Sequence, residues 1–306
     1  MVSVTGKYIE LFSGRTDCYG SWEGGCVRRP VTPDTFTYHL EGMTQVGIYP
    51  ATPRNGGTYV KWGCTDIDVD DYEAALRIQQ AFGMKGITTW IEKTRKGYHV
   101  WLFCTTWIEA RTMRNAYLVV HKVTEVPPTE VNPKQAELEE GKIGNYVRLP
   151  YPNDKSGLRY IMNEDLTPMG FDYFVEEAYG TRATPREIEQ LASMWKEPEP
   201  LDVLFDDVPT TAPLYKLGRN TKTVFDRGVM EGKDRSSTLF YLACCASEDG
   251  LTPSEIVSLL YDADHRWGKF SNRSDGNMRI QQIVEAAVQK VERKWAGESQ
   301  TRNRLQ

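Results

Sequence analysis

The six cysteines of this chain, Cys18, Cys26, Cys64, Cys104, Cys244 and Cys245, include no C-x-x-C pair. Their spacing suits neither a zinc knuckle nor a disulfide framework, so reduced structural thiols are expected and zinc is not. No stretch reaches the roughly 18 apolar residues of a spanning helix, and Met1 to Phe12 lack the charged head and apolar run of a leader. A soluble, intracellular protein with no membrane partner is expected. Basic excess is missing too. The net charge of -5 gives no bulk attraction to nucleic acid, so any polynucleotide contact must come from a local basic patch. No internal repeat is visible.

What is present is enough apolar residue for a core: 306 residues at 40% hydrophobic content allow one large or two ordinary domains. Residues 1 to about 57 are rich in Gly, Pro and aromatics and are cut into short pieces by turn formers; only Gln45 to Tyr49 reads as a strand there. After the turn Asn55-Gly56-Gly57 comes a strand entered through Thr58-Tyr59-Val60-Lys61-Trp62 and carrying Asp66 and Asp68. Asp70, with Glu73 three residues on, reads as the N-cap of a helix over about 71 to 83, with Asp71 in its first turn. Strands follow at Ile87 to Glu92 and Tyr98 to Cys104, then a helix over about 108 to 121 from the spacing of Met113, Ala116, Tyr117 and Val120. Pro127-Pro128 stops anything helical, and Thr129 to Asn132 and Asn145 to Leu149 read as strands. From residue 58 the order is β-α-β-β-α-β, which packs two helices on one face of an antiparallel sheet and leaves the other face free.

Thr184-Pro185-Arg186-Glu187 predicts a helix start, and that helix runs to about Trp195. A Pro-rich, acidic stretch then marks a linker at 199–215, dividing a first domain at 1–198 from a helical bundle at 216–306. The bundle rests on Leu239/Leu242/Ala243/Ala246, on Thr252-Pro253-Ser254-Glu255 ahead of Ile256/Leu259/Leu260, and on Ile280/Ile283/Val284/Ala287/Val291.

Asp66 and Asp68 sit two apart, so on a strand both carboxylates project from one face and can offer oxygen ligands to a divalent ion. By itself an Asp pair is equally a strand-end or turn feature. His99 can donate to a phosphate oxygen or serve as a satisfied core or edge histidine. Glu130 is a third carboxylate in a strand-like stretch, or a solvated edge residue. Tyr146 and Arg148 share one strand face, and Arg148 can fork onto a phosphate or form a surface ion pair. Lys93, Arg95 and Lys96 can track phosphates or simply solvate a hairpin turn. Arg28, Arg29, Lys233 and Arg235 are candidate template contacts on the same terms, and Trp267 is a bundle plug before it is a base contact. Taken in chain order, two carboxylates, a later third and surrounding cations suit a two-metal site gripping a triphosphate.

At this point "TDIDVD" (65 to 70), "GYH" (97 to 99) and "TEV" (129 to 131) resemble, in order, the hhhDhD, s-x-H and h-D/E-h strands of the archaeo-eukaryotic primase superfamily, which includes primase-polymerases of phages, plasmids and bacterial conflict systems. The likeness extends to "HLEGMTQVGIYP" (39 to 50) and "EVNPKQ…GKIGNYVRLPYP", and covers roughly 35 to 160. It implies an α+β fold: an RRM-like β-α-β-β-α-β primase core with an N-terminal α/β subdomain and a small C-terminal helical accessory domain. It also implies Asp66, Asp68 and Glu130 as ligands of Mg²⁺ or Mn²⁺, and His99 as catalytic nucleotide-phosphate contact helped by Lys96, Lys134 and Arg148. Template contacts would fall to Arg28, Arg29, Lys93, Arg95, Lys233 and Arg235. Gly97 stands where the family often has Ser, and the Cys/His zinc insert of some relatives is absent.

The activity so implied is template-directed nucleotidyl transfer, making or extending primers on single-stranded DNA from NTP or dNTP, with a replicative helicase as partner. The setting is the cytoplasm of a bacterium or phage-infected cell. Two other classes stay open on the residues alone: a non-catalytic single-stranded-DNA-binding module, and a metal-dependent nuclease.

Overall fold

The structure, a computed structural model, describes residues 2–21, 25–67, 70–126, 128, 130–153, 159–196 and 208–303, with side chains described to Glu292. The chain divides into two compact units, Met1–Glu197 and Pro198–Gln306. Among the described residues no helix is long and apolar enough to cross a membrane.

The N-terminal segment is more ordered than its turn formers suggest. It holds α1 (Val4–Leu11), β1 (Tyr19–Ser21), β2 (Cys26–Val27), α2 (Pro33–Leu40) and β3 (Val46–Ile48). Helix α2 starts inside a Pro-rich stretch because Pro33 takes the first helical position, while the Thr35 hydroxyl accepts from the Thr32 amide at 3.1 Å.

The core follows as β4 (Thr52–Arg54), β5 (Gly57–Ile67), α3 (Tyr72–Gly83), β6 (Trp90–Lys93), β7 (Tyr98–Glu109), α4 (Ala110–Thr124) and β8 (Glu130–Asn132). Strand β7 runs five residues past the expected end and leads straight into α4. One expectation is corrected at the start of α3. The N-cap is Asp71, whose carboxylate accepts from the Ala74 amide at 3.0 Å, while Asp70 pairs with Lys93 instead.

Unit 1 continues with β9 (Val147–Arg148), β10 (Tyr160–Ile161), α5 (Phe171–Gly180) and α6 (Pro185–Ala192), the last opened by the expected Thr184/Glu187 capping box. The main sheet has the order β10-β6-β7-β5-β4, with β8 beside the far end of β5. The four β-α-β-β-α-β strands therefore lie as β6-β7-β5-β8, all antiparallel, the order of a split βαβ core. The smaller sheet, β2-β1-β3-β9, takes Val147 and Arg148 away from the main sheet.

Helices α3, α4 and α6 cover one face of the main sheet, burying Ile67, Val100, Leu102 and Val131 among Ile78, Phe82, Met113, Tyr117 and Ile188. Gly63 lets α4 approach closely, since a Cβ there would lie 2.6 Å from the Tyr117 ring. The opposite face is not free, contrary to the β-α-β-β-α-β expectation. Trp62, Cys64, Trp101 and Phe103 on that face pack against Tyr8 and Leu11 of α1, Phe12 just past its end, Phe36 of α2 and Phe174 of α5. A shift of register between Val60 and Trp62 explains how Val60 joins the helical side while Trp62 joins the other. The end of the face beyond Cys64 and Trp101 opens into a cavity.

Unit 2 contains a 3₁₀ turn at Leu214–Lys216, then α7 (Arg219–Arg227), α8 (Arg235–Glu248), α9 (Pro253–Trp267) and α10 (Gly276–Asn303). Leu239, Leu242, Leu259, Leu260, Ile280 and Val284 form its core, and Trp267 packs against that core.

In the smaller sheet the Tyr146 ring lies across two glycines paired in register, Gly20 and Gly47. A Cβ on Gly47 would lie 2.3 Å from Tyr146 Cδ2. Gly47→Ala is expected to cost about 1–3 kcal/mol, read as a lowered thermal midpoint in circular dichroism. An unchanged melt would show that the ring yields freely.

Candidate active site

Strand period places alternate residues of each core strand on one face, and register then aligns them across strands. Three rows result on the face opposite α4. Trp62 pairs with Phe103; next, Trp90, Trp101, Cys64 and Asn132 run across β6, β7, β5 and β8; last, Glu92, His99, Asp66 and Glu130 do the same. The first two rows are mostly apolar and buried apart from the half-buried Trp90, and Asn132 lines the cavity. The third row is entirely ionisable, and three of its members, Asp66, His99 and Glu130, line a cavity of about 640 Å³.

The other walls of that cavity come from the β6–β7 turn and the smaller sheet: Thr94, Arg95 and Lys96, and Tyr49, Asn145, Tyr146 and Arg148, together with Arg159. Arg95 and Lys96 are exposed at its mouth, while Arg148 is half-buried. The cavity thus joins two carboxylates to a cluster of cations, a pattern that suits an anion carried with a divalent ion.

His99 is buried at 7% exposure, with Nε2 3.6 Å from Asp66 Oδ1 and Nδ1 2.9 Å from Glu92 Oε2. Burial opposes its charge, but the Cys64 sulfur, the Glu92 carboxylate and the bond to Asp66 outweigh that and hold the imidazolium well above the usual range. Near neutral pH the Cys64 sulfur is not one of these charged partners, because burial pushes its thiol up and keeps it uncharged there, while Glu92 is held ionised.

Glu92 itself is fully buried. Burial would raise its pKa, yet Arg159 and then His99 bring it below the ordinary carboxylate value. Trp101 Nε1 donates to Oε2 at 2.8 Å, and Arg159 Nη2 lies 2.7 Å from Oε1. That last contact is an ion pair off the line of a hydrogen bond, since among the described residues Oε1 makes none. Arg159 also donates to the Arg148 carbonyl at 2.9 Å, tying the two cavity arginines together.

On the other side of the row, Glu130 faces Lys134 Nζ at 3.0 Å and the Asn132 amide at 3.5 Å. Asn132 is buried at 3% exposure, and its Oδ1 has no partner among the described residues. Behind Asp66, on the helical face, the Thr65 hydroxyl meets His121 Nε2 at 2.7 Å, and His121 Nδ1 bonds the Val126 carbonyl at 2.8 Å.

Of the sequence candidates, Asp66, His99, Glu130, Lys96, Arg95 and Arg148 come together at the cavity, and Lys134 reaches Glu130. Asp68 lies outside the described residues. Among the described residues no cluster of three or more His, Cys, Asp or Glu is arranged to hold a metal ion. Lys93 is engaged by Asp70 and lies over the Tyr98 ring at 4.2 Å. Arg28 and Arg29 are exposed past the end of β2, away from the cavity lining. In unit 2, Lys233 is exposed, and Arg235 donates to the Trp267 and Gly268 carbonyls at 3.0 and 2.8 Å, closing the C-terminus of α9. Sequence reasoning missed Asn132 and Arg159, which line the cavity, and Glu92, which is buried behind His99. Glu92 was legible only as part of a strand, though its spacing places it opposite His99 across a short hairpin.

Two outcomes are expected from these contacts. Burial lowers the pKa of His121 below its ordinary 6.5, so it contributes stability fully above that value and loses it as pH falls toward the lower, folded one. His121→Gln can make both bonds without titrating. Between pH 7.5 and 5 its thermal midpoint should therefore decline less than that of wild type, and parallel declines would contradict the assignment. Arg159→Ala leaves Glu92 buried without its cation and should destabilise the protein by about 3–5 kcal/mol in urea unfolding.

Comparison with curated proteins returns no match. A solved structure described as "Crystal structure of primase RepB'" aligns over 96% of this chain and 98% of that chain, at 13% identity and a TM-score of 0.31. Residues 26–163 match the family model described as "TOTE conflict system, Archaeo-Eukaryotic Primase domain". That stretch holds Asp66, His99, Glu130 and Arg148, and over it the resemblance to the archaeo-eukaryotic primase superfamily read from the motifs is borne out.

Proposed function

We propose that unit 1 is a primase-like, template-directed nucleotidyltransferase that makes or extends primers on single-stranded DNA. The observation that carries this reading is the ionisable row across four strands, opening into a cavity with carboxylates at one side and cations at the other. The family match over 26–163 supports a primase-like function of this class.

The donor set fits a hard divalent cation. Asp66 and Glu130 are paired in register on adjacent strands, and Lys134 supplies the positive charge that Glu130 faces. Asp68, two residues from Asp66, is the proposed third ligand. Mg²⁺ or Mn²⁺ held there would supply charge neutralisation at the transferring phosphate. His99 would present Nε2 to a phosphate oxygen, with Lys96 and Arg148 compensating further phosphate charge and Lys134 adjusting Glu130. A 3′-hydroxyl, or that of an initiating nucleotide, attacks the α-phosphorus; the new P–O bond forms as the bond to the β-phosphate breaks and pyrophosphate leaves. Arg95 at the cavity mouth is the template contact best placed near this chemistry, with Arg28, Arg29 and Lys93 further along unit 1. Unit 2 would bind template through Lys233 and Arg235, and a helicase of the same replication module would be a partner.

Incubation of single-stranded template and labelled nucleotides with Mg²⁺ or Mn²⁺, with and without primer, is expected to yield elongated product. Asp66→Ala and Glu130→Ala should each reduce nucleotide addition at least about 100-fold while leaving the melt near wild type. Addition retained in both variants, or none by wild type, would overturn the reading. Shortening of the template strand instead would assign a nuclease, and template binding without either reaction a binding module.

A further inference from the structure

The row contains one member that the proposed chemistry does not use. Glu92 has no exposure, yet it is ionisable and lies behind two residues that line the cavity, His99 and Arg159. A buried carboxylate is costly unless several groups compensate it. Here three side chains do: Oε2 takes both His99 Nδ1 and Trp101 Nε1, at 2.9 and 2.8 Å, while Oε1 faces Arg159 at 2.7 Å. His99 and Trp101 are alternate residues of β7, so both reach the same oxygen from one strand face.

The chemistry of the pair settles the orientation of the ring. A carboxylate can only accept, so the His99 nitrogen 2.9 Å from it must carry a proton, and Arg159 Nη2, a donor 3.5 Å from the same nitrogen, is the weaker contact. The other nitrogen, Nε2, is then the atom turned toward Asp66 and the cavity. We propose that Glu92 is the positioning residue for His99, fixing the imidazole with Nδ1–H directed inward so that Nε2 meets the nucleotide phosphate. This rests on the nucleotidyltransferase reading above and names a residue that acts through His99 rather than on substrate. Trp101 and Arg159 hold the carboxylate itself, which keeps the ring from turning as substrate enters and leaves.

Glu92→Gln keeps the shape of the side chain but must aim its amide nitrogen either at His99 and Trp101 or at Arg159, all of them donors. Nucleotide addition should fall about 10–100-fold, in kcat more than in template binding. In a His99→Ala background the same substitution should cost no more than about twofold, because its effect passes through the ring. Equal costs in both backgrounds would overturn the proposal and leave Glu92 a purely structural residue. Should Glu92→Gln not fold, nitrogen-15 NMR of wild-type protein labelled at histidine decides the contact directly. A proton on His99 Nδ1 shielded from exchange, assigned by its loss in His99→Asn, is expected, and an Nδ1 without one would overturn the inference. If wild type adds no nucleotide, the activity reading fails while this spectrum still reports the Glu92–His99 pair.

Discussion

The antiparallel register of β5 against β7 is the constraint on which the site depends. Because side chains alternate with a period of two, a slip of one residue would turn Asp66 and His99 into the helical layer and bring Thr65 and Val100 into the cavity. Two sets of contacts oppose such a slip. On the cavity side Phe12 packs edge-on against both Trp101 and Phe103, each at 5.1 Å between ring centroids. On the helical side Thr65 is bonded to His121, and Tyr117 donates to the Val100 carbonyl at 3.0 Å. The aromatic layer formed by the N-terminal segment therefore acts on the chemistry at one remove. It covers two of the three rows and leaves the third for solvent and substrate.

The charge pattern follows from that geometry. A chain with a net charge of -5 concentrates His99, Arg95, Lys96, Arg148 and Arg159 around one opening, so attraction for a phosphate arises locally and not from the whole molecule. Burial would normally neutralise an acid as enclosed as Glu92. The Arg159 pair reverses this, and the carboxylate stays ionised beneath the cations.

The period-two and helical spacings made the core legible. Asp66, His99 and Glu130 were read in their correct strands, and α3, α4 and α6 near their observed bounds, because each spans enough residues to show its own periodicity. The N-terminal strands β1 and β2 are only three and two residues long and exist through their pairing with one another and with β3, which no local window contains. The reassigned cap at α3 is a similar case. Asp70 and Asp71 are equally good capping residues in sequence, and the ion pair to Lys93 across space decides between them. Arg159 could not be singled out because its importance lies in a buried partner on β6, far away in the chain.

The connection from β8 to β9 has a further consequence for how the two sides of the cavity are spaced. Glu130 leaves the main sheet and Arg148 enters the smaller one, so one stretch of chain carries an acid of one wall and a cation of the other. That stretch is tied down along its length. The Leu138 amide donates to the Thr58 hydroxyl at 2.9 Å, the Gln135 amide to Asn145 Oδ1 at 2.8 Å, and Gly144 adopts φ 76°, a left-handed conformation that costs glycine little. A side chain at Gly144 would also press on Gln135 Oε1 at 3.1 Å. The distance between carboxylates and phosphate-compensating cations is thus set by this fastened loop as well as by the sheets, and the Arg159 bond to the Arg148 carbonyl closes the same ring from the side of Glu92.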